Sequence, residues 1–392
     1  MYYKLIKLLK IMKKHKICIL GDGLSGLITA EVLGKLDVNI DLISKKIQKK
    51  ITDNRTTAIS PNNHKFISKF LSSKKNELFF GCKKVKLYHE NENGDLNNFM
   101  NFENSQKNLM MIAENKKLKK ILLSDIKKNS KIKILNREIE KIDITNTSVS
   151  FKNRKIFYDM IILCVGKNYD FVEKLIGKRY IKEDKKEIAY TCSVSHNQEI
   201  RESKQYFFKE GPMAILPINE RKFSLIWSMQ KKYRDYNHND IKNLIMSKLK
   251  IIFQKRSKFN LKKVDRFPIY FKFNRNLFKK NVLAIGESVY TVYPIAGQGF
   301  NLVLRDIEML YKKIQENISL GLQLRDSLVL NELYFNRKPE NLLYGLGINL
   351  TQNFFKYNKY THKIKNNFLK DIDKFTFLKK IGLKIADKGL IE

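Results

Sequence analysis

The hexapeptide GDGLSG, residues 21–26, leaves this chain few folds to choose from. It follows the apolar run KICIL (16–20) and leads into LITAEVLGKL (27–36), whose apolar residues recur with helical spacing. A second strand-like run, VNIDLIS (38–44), comes within about 30 residues. Strand, tight turn, helix and strand in that order predict two parallel strands joined by a crossover helix. In such a turn Gly21 permits the sharp bend, Gly23 lets the backbone approach a pyrophosphate and Gly26 lets helix and strand pack closely. Leu24 and Ser25 open the helix, where unpaired N–H groups attract an anion. A carboxylate that would bind a ribose hydroxyl is expected at the end of the second strand. That place holds Ser44, whose hydroxyl can also bond a ribose but carries no charge. Asp41 serves only if the register shifts, since strand alternation otherwise turns it to the other face.

A second stretch has the same character. In GESVYTVYPIAGQGFNLVLRD (286–306) a carboxylate, Glu287, follows the strand NVLAI. Then come Pro294, Gly297, Gln298 and Gly299, and a helix from about Phe300 with Leu302, Leu304 and Ile307 among its apolar positions. Glycines before a helix N-terminus suit a flat or anionic ligand.

Composition excludes several classes. Four cysteines, Cys18, Cys82, Cys164 and Cys192, form no CxxC pair, and the six histidines show no ligand spacing, so no metal site is expected. The formal charge of +38 suits nucleic acid or an anionic membrane, but Lys, Ile and Asn are abundant throughout and no nucleic-acid-binding pattern is present. No apolar run approaches the roughly 18–20 residues that span a bilayer. The N-terminus MYYKLIKLLKIMKKHK reads either as a short amphipathic membrane segment or as a leader to a better start at Met12.

Farther on, residues 91–107 are polar and Asn-rich, and a helical stretch is expected around Asn108 to Leu123. YDMIILCVG (158–166) reads as a buried strand. Between about 180 and 270 the pattern becomes strand-like, with EIAYTCSVS, QYFFKEGPMAILPI and KFSLIWSM. A helix-rich tail begins near Ile307. His196 and His238 read as surface residues.

The two glycine-bearing stretches together resemble flavoprotein monooxygenases of the p-hydroxybenzoate-hydroxylase type, and more narrowly the FAD-dependent hydroxylases of ubiquinone biosynthesis. DNRTTAIS (53–60), GPMAILPI (211–218), FPI (267–269), YFNR (334–337) and GLKIADKGL (382–390) fit the same family in the same order, from about residue 15 to the end. The resemblance implies an α/β fold: a Rossmann-type FAD-binding domain (14–75, 101–179 and 271–330), an inserted, mainly antiparallel substrate domain (76–100 and 180–270) and a helical C-terminal region (331–392). It implies that Gly21, Gly23 and Gly26 hold the FAD pyrophosphate and that Arg55 reaches a phosphate or ribose. Glu287 contacts the ribityl and phosphate portion. Pro294, Gly297, Gln298, Gly299, Phe300 and Asn301 wrap the isoalloxazine ring, and Pro294 stiffens the wall where oxygen adds.

The implied reaction is hydroxylation of a polyprenylated phenol. NAD(P)H reduces FAD, O2 adds at the flavin C4a, and the hydroperoxide transfers oxygen to the ring. Tyr290 and Tyr293 either hydrogen-bond a phenol or pack in the core; Tyr293 and Pro294 are the candidates nearest the chemistry. Gly211, Pro212, Ala214, Leu216 and Trp227 line or support the substrate pocket. The tail from Thr351, with ten lysines and five phenylalanines, suits an anionic membrane surface or a solvated cap. The implied location is cytoplasmic, on the inner face of the membrane where the tail binds it. The sequence departs from the family at Ser44, at Val165 in place of an aspartate, and at Tyr290 and Tyr293, where histidine is frequent. A related FAD oxidoreductase of another reaction type, and a non-catalytic member of a quinone-biosynthesis complex, are the alternatives.

Overall fold

The computed structural model describes residues 14–45, 53–72, 77–178, 180–253, 257–293, 298–326, 328–355 and 376–389. The basic N-terminal segment, Pro294, Gly297 and most of the lysine-rich tail lie outside these residues, as does the side chain of Gln298.

A six-stranded sheet forms the base. Its centre is strand His15–Leu20, paired in parallel with Val38–Ser44 on one side and Met160–Leu163 on the other. Ile132–Asn136 and Val282–Ala284 extend it in parallel, and Phe278–Lys279 closes one edge antiparallel. Ile17, Cys18 and Ile19 are fully buried because layers cover both faces, which explains the unbroken apolar runs. Helices Leu24–Leu33 and Gln298–Ser319 pack against each other and enter one continuous core with this sheet.

A nine-stranded sheet stands beside it. Its strands come from 84–103 and 180–274, with Tyr290–Thr291 at one edge. Every pairing is antiparallel except Ser203–Phe208 with Lys84–Glu90. Helix His238–Phe253 covers one face, burying Ile241, Ile245 and Leu249 against Trp227 and Phe223. The opposite face turns Ala214, Leu216 and Ile226 toward Ala58 and Ile112 of a small three-stranded sheet. The result is an α/β protein with parallel and antiparallel sheets and a helical C-terminal region.

One local expectation changes, and two other segments take a definite place in the sheets. The helix expected from Asn108 starts at Asn115; Met110–Glu114 is a strand, since MMIA completes the small sheet against Thr56–Ile59 and Phe80–Cys82. The Asn-rich segment contains strand Leu96–Glu103, a sheet edge where polar side chains meet solvent. FPI lies inside strand Asp265–Asn274, with Pro268 opposite Ile188. No helix among the described residues is long and apolar enough to cross a membrane.

All four cysteines are buried free thiols. Burial pushes Cys82 up to about 11 and Cys164 and Cys192 to about 12, and raises Cys18 well above the usual range. The thiolate is the reactive form, so these groups stay protonated and inert at pH 8. A thiol-reactive disulfide reagent at pH 8 is expected to label no cysteine in the folded protein within minutes and all four after denaturation. Rapid labelling of the native chain would contradict the packing described.

Candidate active site

Three glycines of the first turn have three different surroundings. Gly21 adopts φ +113°, and a Cβ there would sit 2.2 Å from the Cys164 carbonyl oxygen; its own N–H donates to the Ile43 carbonyl at 2.9 Å. A Cβ on Gly26 would lie 2.0 Å from the Gly21 carbonyl oxygen. A Cβ on Gly23 would meet nothing within 4 Å. Two of the glycines are therefore required by backbone packing, and the third opens onto space. Helix Leu24–Leu33 begins with no side-chain cap, so the N–H groups of its first turn remain available to a ligand.

The space is a cavity of about 1400 Å³, larger than the roughly 300–1,000 Å³ of ordinary small-molecule sites. Gly21, Gly23, Leu24 and Ser25 form one wall. Arg55, Glu287, Tyr293, Gly299 and Phe300 join them from three distant parts of the chain. The far wall is the nine-stranded sheet, through Ala189, Thr191, Ile226 and Ile269.

Arg55 is held before any ligand arrives. Its Nε and Nη2 donate to Asp53 at 2.9 and 2.8 Å, and its guanidinium lies 5.3 Å from the Phe267 ring centre. Burial alone would raise the Asp53 carboxyl, but the Arg55 fork outweighs it and holds Asp53 below the usual range. Asn115 donates to the same carboxylate at 3.2 Å and accepts from Thr57. Glu287 is exposed on the wall, just after Gly286 (φ +90°), which packs against Ser25. Opposite stands Lys167. Burial lowers its pKa, Glu287 opposes that and Arg55 reinforces it; its Nζ donates to the Pro268 carbonyl at 3.3 Å.

Of the other candidates, Ser44, Asp41 and Asn301 sit away from the cavity wall, while Tyr290 and Tyr293 are on it. Ser44 ends its strand half-buried, with its carbonyl accepting from the Arg137 N–H at 3.1 Å. Asp41 faces away, bound to Lys16 at 2.8 Å and Tyr158 at 2.9 Å. Strand Val38–Ser44 therefore puts no carboxylate on the wall. Tyr290 lines the cavity, but its hydroxyl donates to Asp306; burial and that carboxylate raise its pKa, so it stays protonated. Tyr293 is fully buried on the wall. Asn301 points inward, accepting from the Ser60 N–H and from Asn63, each at 2.9 Å, and donating to the Ala58 carbonyl at 3.1 Å.

Gly211, Pro212, Ala214, Leu216 and Trp227 are not on the wall. Trp227 is buried under helix His238–Phe253 and donates through Nε1 to the Gly211 carbonyl at 3.0 Å. Alternation along a strand explains Trp227, since Ile226, one residue earlier, faces the cavity; Ala214 and Leu216 share the face of Ile226 but pack against Ala58 and Ile112 of the small sheet. Of the two histidines expected at the surface, His238 is exposed and His196 is not. His196 is buried beside Phe223 and Phe253, and burial lowers its pKa. His238 is exposed on the cavity wall, at the start of its helix. Asn237 just before an apolar-periodic run, a helix-start signal, marks that position in the sequence.

No family model matches the chain. Among curated proteins it is similar to a mitochondrial ubiquinone biosynthesis monooxygenase, COQ6, of Dictyostelium discoideum, with 26% identity over 186 residues (39% of this chain and 38% of that protein). It is also similar to the 3-demethoxyubiquinol 3-hydroxylase of Escherichia coli, with 25% identity over 191 residues (47% and 44%). The chain thus spans less than half the length of these curated relatives. Among solved structures it superposes on p-nitrophenol 4-monooxygenase PnpA of Pseudomonas putida with a TM-score of 0.77 at 14% identity, covering 96% of this chain and all of that one. Klebsiella pneumoniae HpxO, solved with FAD and uric acid, gives 0.73 at 13% identity over 95% and 97% of the two chains. The fold is that of the FAD-dependent monooxygenases.

The residues present fit the cofactor of an FAD-dependent monooxygenase fold. Gly23 leaves room for a pyrophosphate where a side chain would block it, the uncapped helix offers N–H donors, and Arg55 is a preset cation on the wall. Gly23→Val is therefore expected to keep stability within about 0.5 kcal/mol of the parent while weakening FAD binding about tenfold or more. Gly26→Ala should instead cost about 1–3 kcal/mol of stability, because its Cβ meets backbone. Thermal melts of the apo proteins and FAD titration by flavin fluorescence separate the two effects. Equal FAD affinity in Gly23→Val and the parent would mean that the turn does not hold the pyrophosphate.

Proposed function

We propose that this chain is an FAD-dependent monooxygenase that hydroxylates the aromatic ring of a polyprenylated ubiquinone precursor, using NAD(P)H and O2. The observation that carries the reading is one cavity joining the glycine turn and Arg55 to an apolar sheet wall. The names of the curated relatives supply the substrate class. When bound, the flavin supplies the electron transfer and oxygen activation. The chain's own residues bind and orient it: the Gly23 turn and Arg55 at the pyrophosphate, Glu287 at the ribityl portion, Gly299 and Phe300 at the ring. Pro294, Gly297 and Gln298 belong to the same proposed ring contact. Ile226, Ile269 and Tyr293 exclude water from the reacting ring. Lys167 bridges the cofactor side to the sheet through Pro268 and keeps a cation near Glu287.

The substrate would be met at a membrane. Helix Val329–Phe355 leaves Phe335, Leu343, Leu346, Leu350 and Phe354 exposed, and Phe377 and Ile381 are exposed on the next described helix. Apolar side chains on a strongly basic protein suit the surface of an anionic bilayer.

A second reading, a non-catalytic member of a membrane-associated quinone-biosynthesis complex, draws on the inward turn of Asp41 and on Val165 lining the cavity. Two measurements decide between them. The purified chain should be yellow and take up FAD near one equivalent. Cells lacking it should accumulate a quinone precursor short of one hydroxyl. A colourless protein that ignores added FAD favours the second reading, and an unchanged quinone pool rejects the first.

A further inference from the structure

The described residues of the tail motif, 382–389, do not line the cavity, yet they are bound to both segments that border it. Helix Thr376–Lys388 ends against helix Gln298–Ser319: Arg305 Nη2 donates to the Ile385, Ala386 and Asp387 carbonyls at 3.3, 3.0 and 3.3 Å. A cation on the last carbonyls of a helix satisfies acceptors that have no partner within it. Asp387 then reaches the other segment. Its carbonyl accepts from Ser60 Oγ at 3.0 Å, and its Oδ1 accepts from the Asn62 N–H at 2.7 Å. Gly389 ends the helix with φ +99°, and a Cβ there would lie 1.8 Å from Glu340 Oε1, so the chain can pass only as glycine.

Ser60 is the connecting residue. Its N–H donates to Asn301 Oδ1, whose amide reaches back to the Ala58 carbonyl. Asn301 is two residues from Gly299, and Ala58 follows directly on Arg55, Thr56 and Thr57; all four of these neighbours line the cavity. One cluster of hydrogen bonds therefore sets both the first turn of helix Gln298–Ser319 and the segment carrying Arg55.

We propose that Asp387 is a positioning residue for the cofactor. From outside the cavity its carboxylate holds the Asn62 N–H in the first turn of helix Pro61–Ile67, and its carbonyl holds Ser60 Oγ; through Ser60, Asn63 and Asn301 this anchor sets the helix turn that lines the cavity. The C-terminal helix is thus a functional part of the cofactor site. The inference rests on the FAD reading only for its binding readout.

The test uses the full chain with Asp387→Ala, Asp387→Asn, Ser60→Ala and, as a control on the exposed side of the same helix, Lys380→Ala. FAD affinity is measured by flavin fluorescence, and amide hydrogen exchange of residues 298–303 and 56–63 is measured in the apo protein. Asp387→Ala should bind FAD about tenfold or more weakly and exchange faster in both segments, with unchanged far-UV circular dichroism. Asp387→Asn should recover most of the loss, because its amide oxygen still accepts from the Asn62 N–H. Lys380→Ala should match the parent. If Asp387→Ala does not fold, Ser60→Ala, which removes the Oγ bond to the Asp387 carbonyl and the cap on the Asn63 N–H, must show the same pattern. Parent-like exchange in both segments overturns the inference whether or not FAD binds. A parent chain that takes no FAD brings down the proposed function instead, and exchange alone then decides this one.

Discussion

The arrangement around the cavity depends on a buried set of charges at the middle of helix Gln298–Ser319. Asp306 accepts from Arg337 Nε at 2.7 Å, from Asn341 at 3.0 Å and from the Tyr290 hydroxyl. Arg337 also binds Glu340, and Glu340 faces Arg305 at 3.5 Å. These charged groups are at most 5% exposed, and two arginines balance two carboxylates. Burying an unpaired charge is prohibitively costly, and removing one member of such a set typically costs about 3–5 kcal/mol. The set is therefore stable in one arrangement only. It locks helix Val329–Phe355, the tyrosine of the 286–293 segment and the long helix into a fixed relation.

That fixed relation carries toward the cavity. Arg305 belongs to the charge set and also bonds the last carbonyls of the tail helix, and Asn301 lies one turn earlier on the same face of the long helix. Gly299 and Phe300, which line the cavity, therefore sit at the end of a helix whose axis is set by buried ion pairs. A rigid support of this kind suits a site in which a flat ring must meet a small contact area. The residues that resemble the hydroxylase family most closely divide into two sets. Gly23, Arg55 and Gly299 face the cavity, while Asn301, Arg305, Asp306 and Arg337 hold the elements that bring them there.

The nine-stranded sheet solves a different problem. One face needs a core of its own, and helix His238–Phe253 with Trp227 and Phe223 provides it. The other face is left to cover the cavity and the small sheet, with Ala214, Leu216 and Ile226 packed on the small sheet and Phe267 beneath Arg55. The start of the same helix places Asn237 and His238 on the cavity wall. One connection therefore both closes the core and furnishes the polar end of the chamber.

The sequence by itself determined what depends on near neighbours. The GDGLSG turn, its flanking strands and its helix follow from glycine conformations and apolar periodicity over about 30 residues, and the parallel sheet follows from them. The parallel and antiparallel organisation was legible for the same reason. Tertiary structure decided which way side chains face when that depends on distant pairing. Ile226 and not Trp227 faces the cavity because of a strand register set by partners far along the chain. MMIA is a strand because two other strands wait for it, although its neighbours favour a helix. Asn301 reads as a ligand contact in its motif, yet its amide is consumed by Ser60, Asn63 and Ala58, some 240 residues away in sequence. Local propensity contains no term for such partners, so only the assembled fold could assign that side chain to the scaffold.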